Sequence, residues 1–237
     1  MVHLINKILL EANLERDLEQ KRYVNDFFKK IDNIISNYTK NNDIIIYDPK
    51  TKIVSIDLDN IKIEFIGQDS ESEIAKKLRQ LGGAGGYDSG DNIVYLFARI
   101  KYDGFLSKEL SVRYDKSSLY HELIHLFDFR RTKDPTKVAD RIEKNYLKNG
   151  LKSYYNNPYE YNAHFLQNVM PEVEEYIKNL KSLPKSYKEF KNRLLNSVSL
   201  ETYYVNLDDK FKGKFEKRLE NIYQELIKRK NAYRSNS

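Results

Sequence analysis

The spacing of apolar residues predicts a long helix at the start of the chain and short strands after it. Between residues 3 and 37, apolar side chains recur mostly three or four positions apart, which is the period of an amphipathic helix. The pattern then changes to short β-branched runs bounded by turn residues such as Asp59-Asn60. These runs, which predict a small antiparallel sheet, are residues 44–47, 53–58 and 61–66.

The remainder of the chain predicts one further strand and a series of helices. Residues 92–101 are the most strand-like segment, and we expect them to form the edge strand of the sheet. Asn157 as N-cap and Pro158 at the first helical position predict the start of a helix, which Pro171 kinks or restarts. The other predicted helices are residues 70–80, 116–131, 136–148, 186–196 and 208–232.

Composition limits the chemistry that the chain can perform. The 237 residues include no cysteine, which excludes disulfides, thiolate metal sites and cysteine nucleophiles. The glycine-rich segment 82–86 lacks the residues of a phosphate-binding loop, so it predicts a turn or a flexible flap. No apolar run approaches the roughly 18 residues that span a bilayer, and no signal-peptide cleavage site follows the start. We therefore expect a soluble protein with no membrane contact.

Positive charge is concentrated near the end of the chain. The net charge is +6, and residues 176–237 hold 15 Lys and Arg against seven Asp and Glu. These cations alternate with glutamates, which favours a solvated helix face over a nucleic-acid surface. A protein partner in an assembly that docks on the basic C-terminal helices is the other interpretation, and we do not expect nucleic acid to bind.

The segment that carries chemistry is an H-E-x-x-H motif on the helix predicted at 116–131. His121 and His125 are four residues apart, so both imidazoles leave the same helix face and can hold one metal ion. Glu122 is rotated by about 100° from His121 and can instead reach a metal-bound water as general base. The motif predicts one zinc ion per chain, although iron also accepts two histidines and a carboxylate.

A zinc site of this kind needs a third protein ligand. Asp128 lies on the same helix as the histidines, which suits a hydrogen-bond acceptor behind an imidazole better than a ligand. We favour Glu160 on the next helix, with Glu143 and His164 as alternatives. His164 is one turn after Glu160 and is also a candidate to stabilise the oxyanion, as are the phenols of nearby tyrosines. Those tyrosines are Tyr155, Tyr159 and Tyr161.

Residues 121–131, HELIHLFDFRR, resemble the signature of a zinc metallopeptidase family. That family includes the mitochondrial inner-membrane-associated peptidase that helps to assemble ATP synthase. Its aromatic, aspartate and arginine positions fall on Phe127, Asp128 and Arg131, and its E-x-x-A segment, which supplies the third zinc ligand, matches 160–163. Small phage and bacterial peptidases of the same plan are also similar. The resemblance implies a zincin fold with Glu160 as a ligand.

Together these observations predict an α+β, zincin-like fold. A small antiparallel sheet packs on the H-E-x-x-H helix, with helical extensions at both ends. The expected segments are a helical 1–40, a catalytic 41–180 and a basic helical 181–237. The expected function is zinc-dependent hydrolysis of peptide bonds, as an endopeptidase acting on a peptide or protein substrate.

A second function, from another class, is compatible with the same sequence. The helical extensions and the basic C-terminal end suit a structural or assembly component, for example of a virion, that retains a zincin fold. We expect the protein to lie in the cytoplasm or in a virion.

Overall fold

The computed structural model describes residues 15–36, 45–81, 83–103, 109–130, 132–179 and 184–235. The chain divides into two compact units. The first unit comprises residues 1–22 and 148–237, and the second comprises residues 23–147. The two units are defined by their compactness alone. The division into segments 1–40, 41–180 and 181–237 therefore stays a prediction.

The second unit contains the sheet and the helices around it. Its strands are β1 (Ile45–Asp48), β2 (Ile53–Leu58), β3 (Ile61–Gly67), β4 (Gly85–Asp88), β5 (Ile93–Asp103) and β6 (Glu109–Tyr114). Its helices are the larger part of α1 (Glu15–Ser36), α2 (Glu73–Gln80), α3 (Lys116–Phe129) and the first part of α4 (Pro135–Tyr155). The elements therefore confirm the α+β class.

In the described part of the chain, the six strands form one mixed sheet, not the antiparallel sheet expected from the sequence. β1, β2 and β3 form the expected antiparallel meander, with Ile45 opposite Ile56. β5 then pairs with β3 in parallel, with Lys62 opposite Ile93. The parallel pair forms because α2 separates β3 from the following strands, and a chain that crosses over through a helix can return in the same direction.

β5 lies inside the sheet, so the expectation that residues 92–101 form its edge is wrong. β3 pairs with one side of β5, while β4 and β6 share the other side. Gly85 of β4 is opposite Leu96, and Tyr114 of β6 is opposite Ala98. β4 pairs with no second strand among the described residues and is therefore an edge strand.

Helices cover both faces of β5. Ala75 and Leu78 of α2 are buried against the face that carries Tyr95 and Phe97. α3 contacts β4 and β5 on the opposite face, where Leu96 points, because successive side chains of a strand alternate between faces. This arrangement buries α3 and leaves the β4 edge beside it.

The first unit is helical. After the start of α1 and the end of α4 come α5 (Pro158–His164), a π-helical turn (Phe165–Val169), α6 (Met170–Lys178), α7 (Tyr187–Leu195), α8 (Val198–Asn206) and α9 (Asp209–Ser235). Its centre is apolar and largely aromatic, and includes the buried side chains of Phe165, Phe190, Leu200, Phe215 and Leu219.

A buried ion pair joins α1 to α9 within the first unit. Asp17 accepts a hydrogen bond from Arg218, and only 8% of the aspartate side chain and 16% of the arginine side chain are exposed. The guanidinium carbon of Arg218 also lies 3.7 Å from the centroid of the Phe165 ring. Because charge and ring both hold the guanidinium, its position is closely defined.

Most of the predicted elements are confirmed, with local differences. The hairpin turn at Asp59-Asn60 has positive φ at both residues, as a two-residue hairpin of type I′ requires. The predicted helix 3–37 is confirmed over Glu15–Ser36, and its earlier part lies outside the described residues. The sequence did not predict β4, β6 or α8. Within the described residues, no helix has both the length and the apolar character needed to cross a membrane.

Two glycines in helices should respond oppositely to alanine. Gly213 lies within α9 with nothing within 4 Å of an added Cβ, so Gly213→Ala should raise the free energy of unfolding by about 0.5–1 kcal/mol. Gly150 interrupts α4 with φ 68° and ψ −160°, so Gly150→Ala should lower it by about 1–3 kcal/mol. Urea unfolding measures both, and changes of the same sign would contradict the prediction.

Candidate metal and catalytic site

Asp115 fixes the start of the helix that carries the H-E-x-x-H motif. Its carboxylate accepts hydrogen bonds from the backbone N–H groups of Ser117 (3.1 Å) and Ser118 (3.0 Å). It also accepts one from the Ser118 hydroxyl at 2.6 Å. These three donors, the hydroxyl first, hold the pKa of Asp115 below its usual value. The cap sets the helical phase of every residue that follows.

α3 is buried on nearly all sides from Leu119 onward. Its apolar residues Leu119, Leu123 and Ile124 are fully buried, and the polar residues between them are buried as well. The buried polar residues are His121, Glu122, His125 and Asp128, each at most 8% exposed. A helix that carries four ionisable groups into a core is unusual, because each group loses its hydration there.

The structure brings His121 and His125 together on α3. Their Nε2 atoms are 3.0 Å apart, and their ring planes are nearly perpendicular at 84°. The helix produces this proximity, since residues four apart project from the same face. Two imidazole nitrogens that converge in this way offer adjacent donor atoms to one metal ion.

Glu122 lies against the first residue of the edge strand. A Cβ added to Gly85 would be 3.3 Å from Cγ of Glu122 and 2.8 Å from both the Leu96 side chain and the Tyr95 carbonyl oxygen. Only glycine lets β4 come this close to β5 and α3. Part of the glycine-rich segment that the sequence predicted as a turn or flap is therefore strand, although Gly82 lies outside the described residues.

Asp128 and Glu143, the two other candidate carboxylates in the second unit, differ in their burial. Asp128 is 3% exposed and lies three residues after His125 on α3, and its role as a hydrogen-bond acceptor behind an imidazole stays a prediction. Glu143 of α4 forms an ion pair with Lys77 at 3.6 Å, and 37% of its side chain is exposed. This surface position makes Glu143 a poor candidate for a buried metal ligand.

Glu160 and His164 lie on α5 in the first unit. The Asn157 side chain caps this helix by accepting the Tyr159 N–H at 2.9 Å, and Pro158 occupies its first turn, as predicted. Glu160 is 5% exposed, and His164 follows it by four residues. The cap and the proline therefore place a carboxylate and an imidazole one turn apart on one helix.

His164 is surrounded by tyrosine rings and held by an amide. The ring centroids of Tyr154, Tyr155 and Tyr203 lie 5.6, 4.9 and 5.7 Å from its own. The Asn168 amide nitrogen is 3.2 Å from Nδ1 of His164. An amide nitrogen only donates, so with the amide in this orientation Nδ1 accepts and the proton of the neutral ring is on Nε2.

A π-helical turn follows His164 and precedes Pro171. The Met170 N–H donates to the Phe165 carbonyl five residues earlier, which widens the helix just before Pro171. Proline has no N–H and its ring would clash with a carbonyl four residues back, so a wider turn before it relieves both problems. The predicted kink or restart at Pro171 is confirmed, and Asn168 lies four residues after His164, a spacing that brings two side chains to one helix face.

Two of the three tyrosines proposed for the oxyanion differ in their surroundings. Burial, with the nearby charge of Glu160, raises the pKa of Tyr155, so its phenol stays protonated and able to donate. Tyr161 is 4% exposed, and its ring lies 5.0 Å from that of Phe211, which indicates a packing role. Tyr203 had no place in the sequence argument, yet its hydroxyl donates to the Tyr161 carbonyl at 2.8 Å.

Several of these side chains could bind a metal ion. His121, Glu160 and His164 each offer a ring nitrogen or a carboxylate oxygen, and all three are at least partly buried. Within the second unit the structure also places His125 beside His121. Arg131, the last residue of the family signature, lies outside the described residues.

Comparison with known proteins gives no match: no protein family, no curated protein and no solved structure is significantly similar to this chain.

The close approach of β4 to β5 predicts that a methyl group added at Gly85 strongly destabilises the fold. Gly85→Ala should lower the free energy of unfolding by about 1–3 kcal/mol, because the added Cβ overlaps the Tyr95 carbonyl oxygen and the Leu96 side chain. Gly86→Ala should cost less, since its closest contact is a flexible Leu78 methyl at 3.2 Å. Equal losses in urea unfolding would contradict this account of the edge strand.

Proposed function

We propose that the chain is a zinc-dependent metallopeptidase that hydrolyses internal peptide bonds. The observation that carries this proposal is the pair of buried imidazoles on α3, with their Nε2 atoms 3.0 Å apart. Two nitrogens at 2.0–2.1 Å from a tetrahedral zinc ion lie about 3.3 Å from each other. The observed distance is close to that value, so a small rotation of either ring suits the pair to zinc.

Glu160 is our choice for the third ligand. It is a buried carboxylate, and a Glu with two His is a common ligand set of catalytic zinc sites. His164 suits another role, because its Nδ1 faces the Asn168 amide and its Nε2 then carries the proton. In this tautomer Nε2 donates a hydrogen bond, which favours His164 as a donor to an oxyanion, although His164 also belongs to the group that could bind a metal ion.

Each of these residues has a separate role in the proposed hydrolysis. When bound, zinc would supply a Lewis acid that polarises the scissile carbonyl and lowers the pKa of water. The Glu122 carboxylate accepts a proton from the attacking water and passes it to the leaving amine. His164 donates to the oxygen on which negative charge develops, and Asp128 supports an imidazole from behind.

The edge strand suggests how a substrate is held. β4 begins at Gly85, where an added Cβ would lie 3.3 Å from Cγ of Glu122, and its outer side pairs with no other described strand. An extended peptide can add to such an edge through backbone hydrogen bonds. We therefore propose β4, in place of the β5 segment 92–101, as the strand on which a peptide or protein substrate docks.

Metal content tests the ligand assignment. We expect about one zinc ion per purified chain by mass spectrometry, lost in His121→Ala and retained in His3→Ala, a histidine outside the motif. Chelation should also lower the thermal midpoint of the wild type, because an ion bound only to the folded state stabilises it. No zinc in the wild type after zinc is added back would remove the basis of the proposal.

Substitution of the proposed base separates zinc binding from catalysis. Glu122→Gln keeps the shape of the side chain but removes its basicity, so it should retain zinc and lose at least roughly a hundredfold in kcat on a peptide substrate. Glu143→Gln makes the same chemical change in a half-exposed ion pair and should leave kcat unchanged. A zinc-loaded Glu122→Gln variant with wild-type kcat would contradict the proposed mechanism.

The alternative function, a structural or assembly component that retains the zincin plan, rests on the basic C-terminal helices. It predicts a stable complex with other chains and no hydrolysis, which light scattering and peptide assays can measure. A monomer that cleaves peptides would favour the peptidase. Residence in the cytoplasm or in a virion is proposed under either function.

A further inference from the structure

A cavity of about 380 Å³ lies in the first unit, away from the motif on α3. Its walls come from the start of α1, from α5 and from α9. Three α9 residues, Lys214, Lys217 and Arg218, contribute to one side, because positions three and four apart share a helix face. Arg16 of α1 contributes a fourth cation. The volume of the cavity is within the range of binding sites for small molecules.

The lining of this cavity is strongly positive. Asp17 is its single carboxylate, and that charge is already paired with Arg218. A concave surface with like charges concentrates the electrostatic potential more than a flat one does. Lys214 and Lys217 therefore give the cavity an excess of positive charge that an anion would offset.

The acidic residues of α9 contact other groups. Glu216 forms an ion pair with Lys191 at 2.8 Å, and Glu225 lies 3.6 Å from Lys228. Burial, followed by the charges of Glu216 and Glu220, raises the pKa of Tyr187, so these two carboxylates face α7. Glu216 and Glu220 are not among the residues that line the cavity.

The cavity also has a rigid base and polar donors. Arg218 is held by Asp17 and the Phe165 ring, and it reaches Oδ1 of Asn162 at 3.5 Å. Lys214 and Lys217 are exposed and able to move towards a ligand. A fixed guanidinium with flexible ammonium groups around it suits a multivalent oxyanion, since each oxygen accepts from several donors.

We propose that this cavity binds a phosphate-bearing small molecule. The charge selects an anion, the number of N–H donors favours phosphate over a single carboxylate, and the volume favours a compact ligand over a polymer. This inference is independent of the proposed peptidase activity. Tyr161 and Asn162 line the cavity directly after Glu160 in sequence, so a bound ligand would contact α5 itself.

Isothermal calorimetry of the full chain with sodium tripolyphosphate tests the proposal, at constant ionic strength. Wild-type protein should bind saturably. The double variant Lys214→Gln, Lys217→Gln should bind at least roughly tenfold more weakly. Each substitution removes an ammonium group and with it a charge-assisted hydrogen bond to the ligand. Both lysines are exposed, so the variant should fold, and its circular dichroism spectrum checks this.

A matched control separates a site from general attraction. Lys210→Gln, Lys212→Gln removes the same charge from the same helix, but neither residue lines the cavity. Wild-type affinity in this control supports the proposal. Equal loss in both double variants, no saturable binding by the wild type, or tighter binding of a short single-stranded oligonucleotide than of tripolyphosphate would overturn it.

Discussion

The structure depends on the burial of a helix that carries ionisable groups in its middle. α3 contacts β4 and β5, and its polar residues His121, Glu122, His125 and Asp128 are as buried as many core side chains. Removing such groups from water costs several kcal/mol unless hydrogen bonds or an ion compensate. Under the proposed function, a cation that compensates these groups would also activate water beside Glu122, so stability and activity would be linked in α3.

The close approach of the edge strand is the second constraint. β4 reaches β5 and α3 only because Gly85 has no side chain, and the same contact puts the strand next to Glu122. A strand that binds a peptide must leave one side unpaired and still be held firmly on the other. β4 meets both conditions among the described residues, since it pairs with β5 alone.

The sequence predicted local structure well wherever the signal was local. Asp59-Asn60 formed a hairpin turn, Asn157 and Pro158 began a helix, and Pro171 restarted one, because backbone preferences of these residues act over a few positions. Prediction failed where partners are distant in sequence. The 92–101 segment looks the same as an edge or a central strand, and only pairing with β3, β4 and β6 decides the matter.

The same distinction between local and distant interactions applies to the candidate site. The sequence by itself determined that His121 and His125 share a helix face with Glu122 beside them, because helical geometry fixes residues one and four apart. It also placed Glu160 and His164 one turn apart. Only the tertiary structure decided that α3 is buried and that Gly85 lies beside Glu122. Burial and strand contacts depend on the packing of distant segments, which no local pattern encodes.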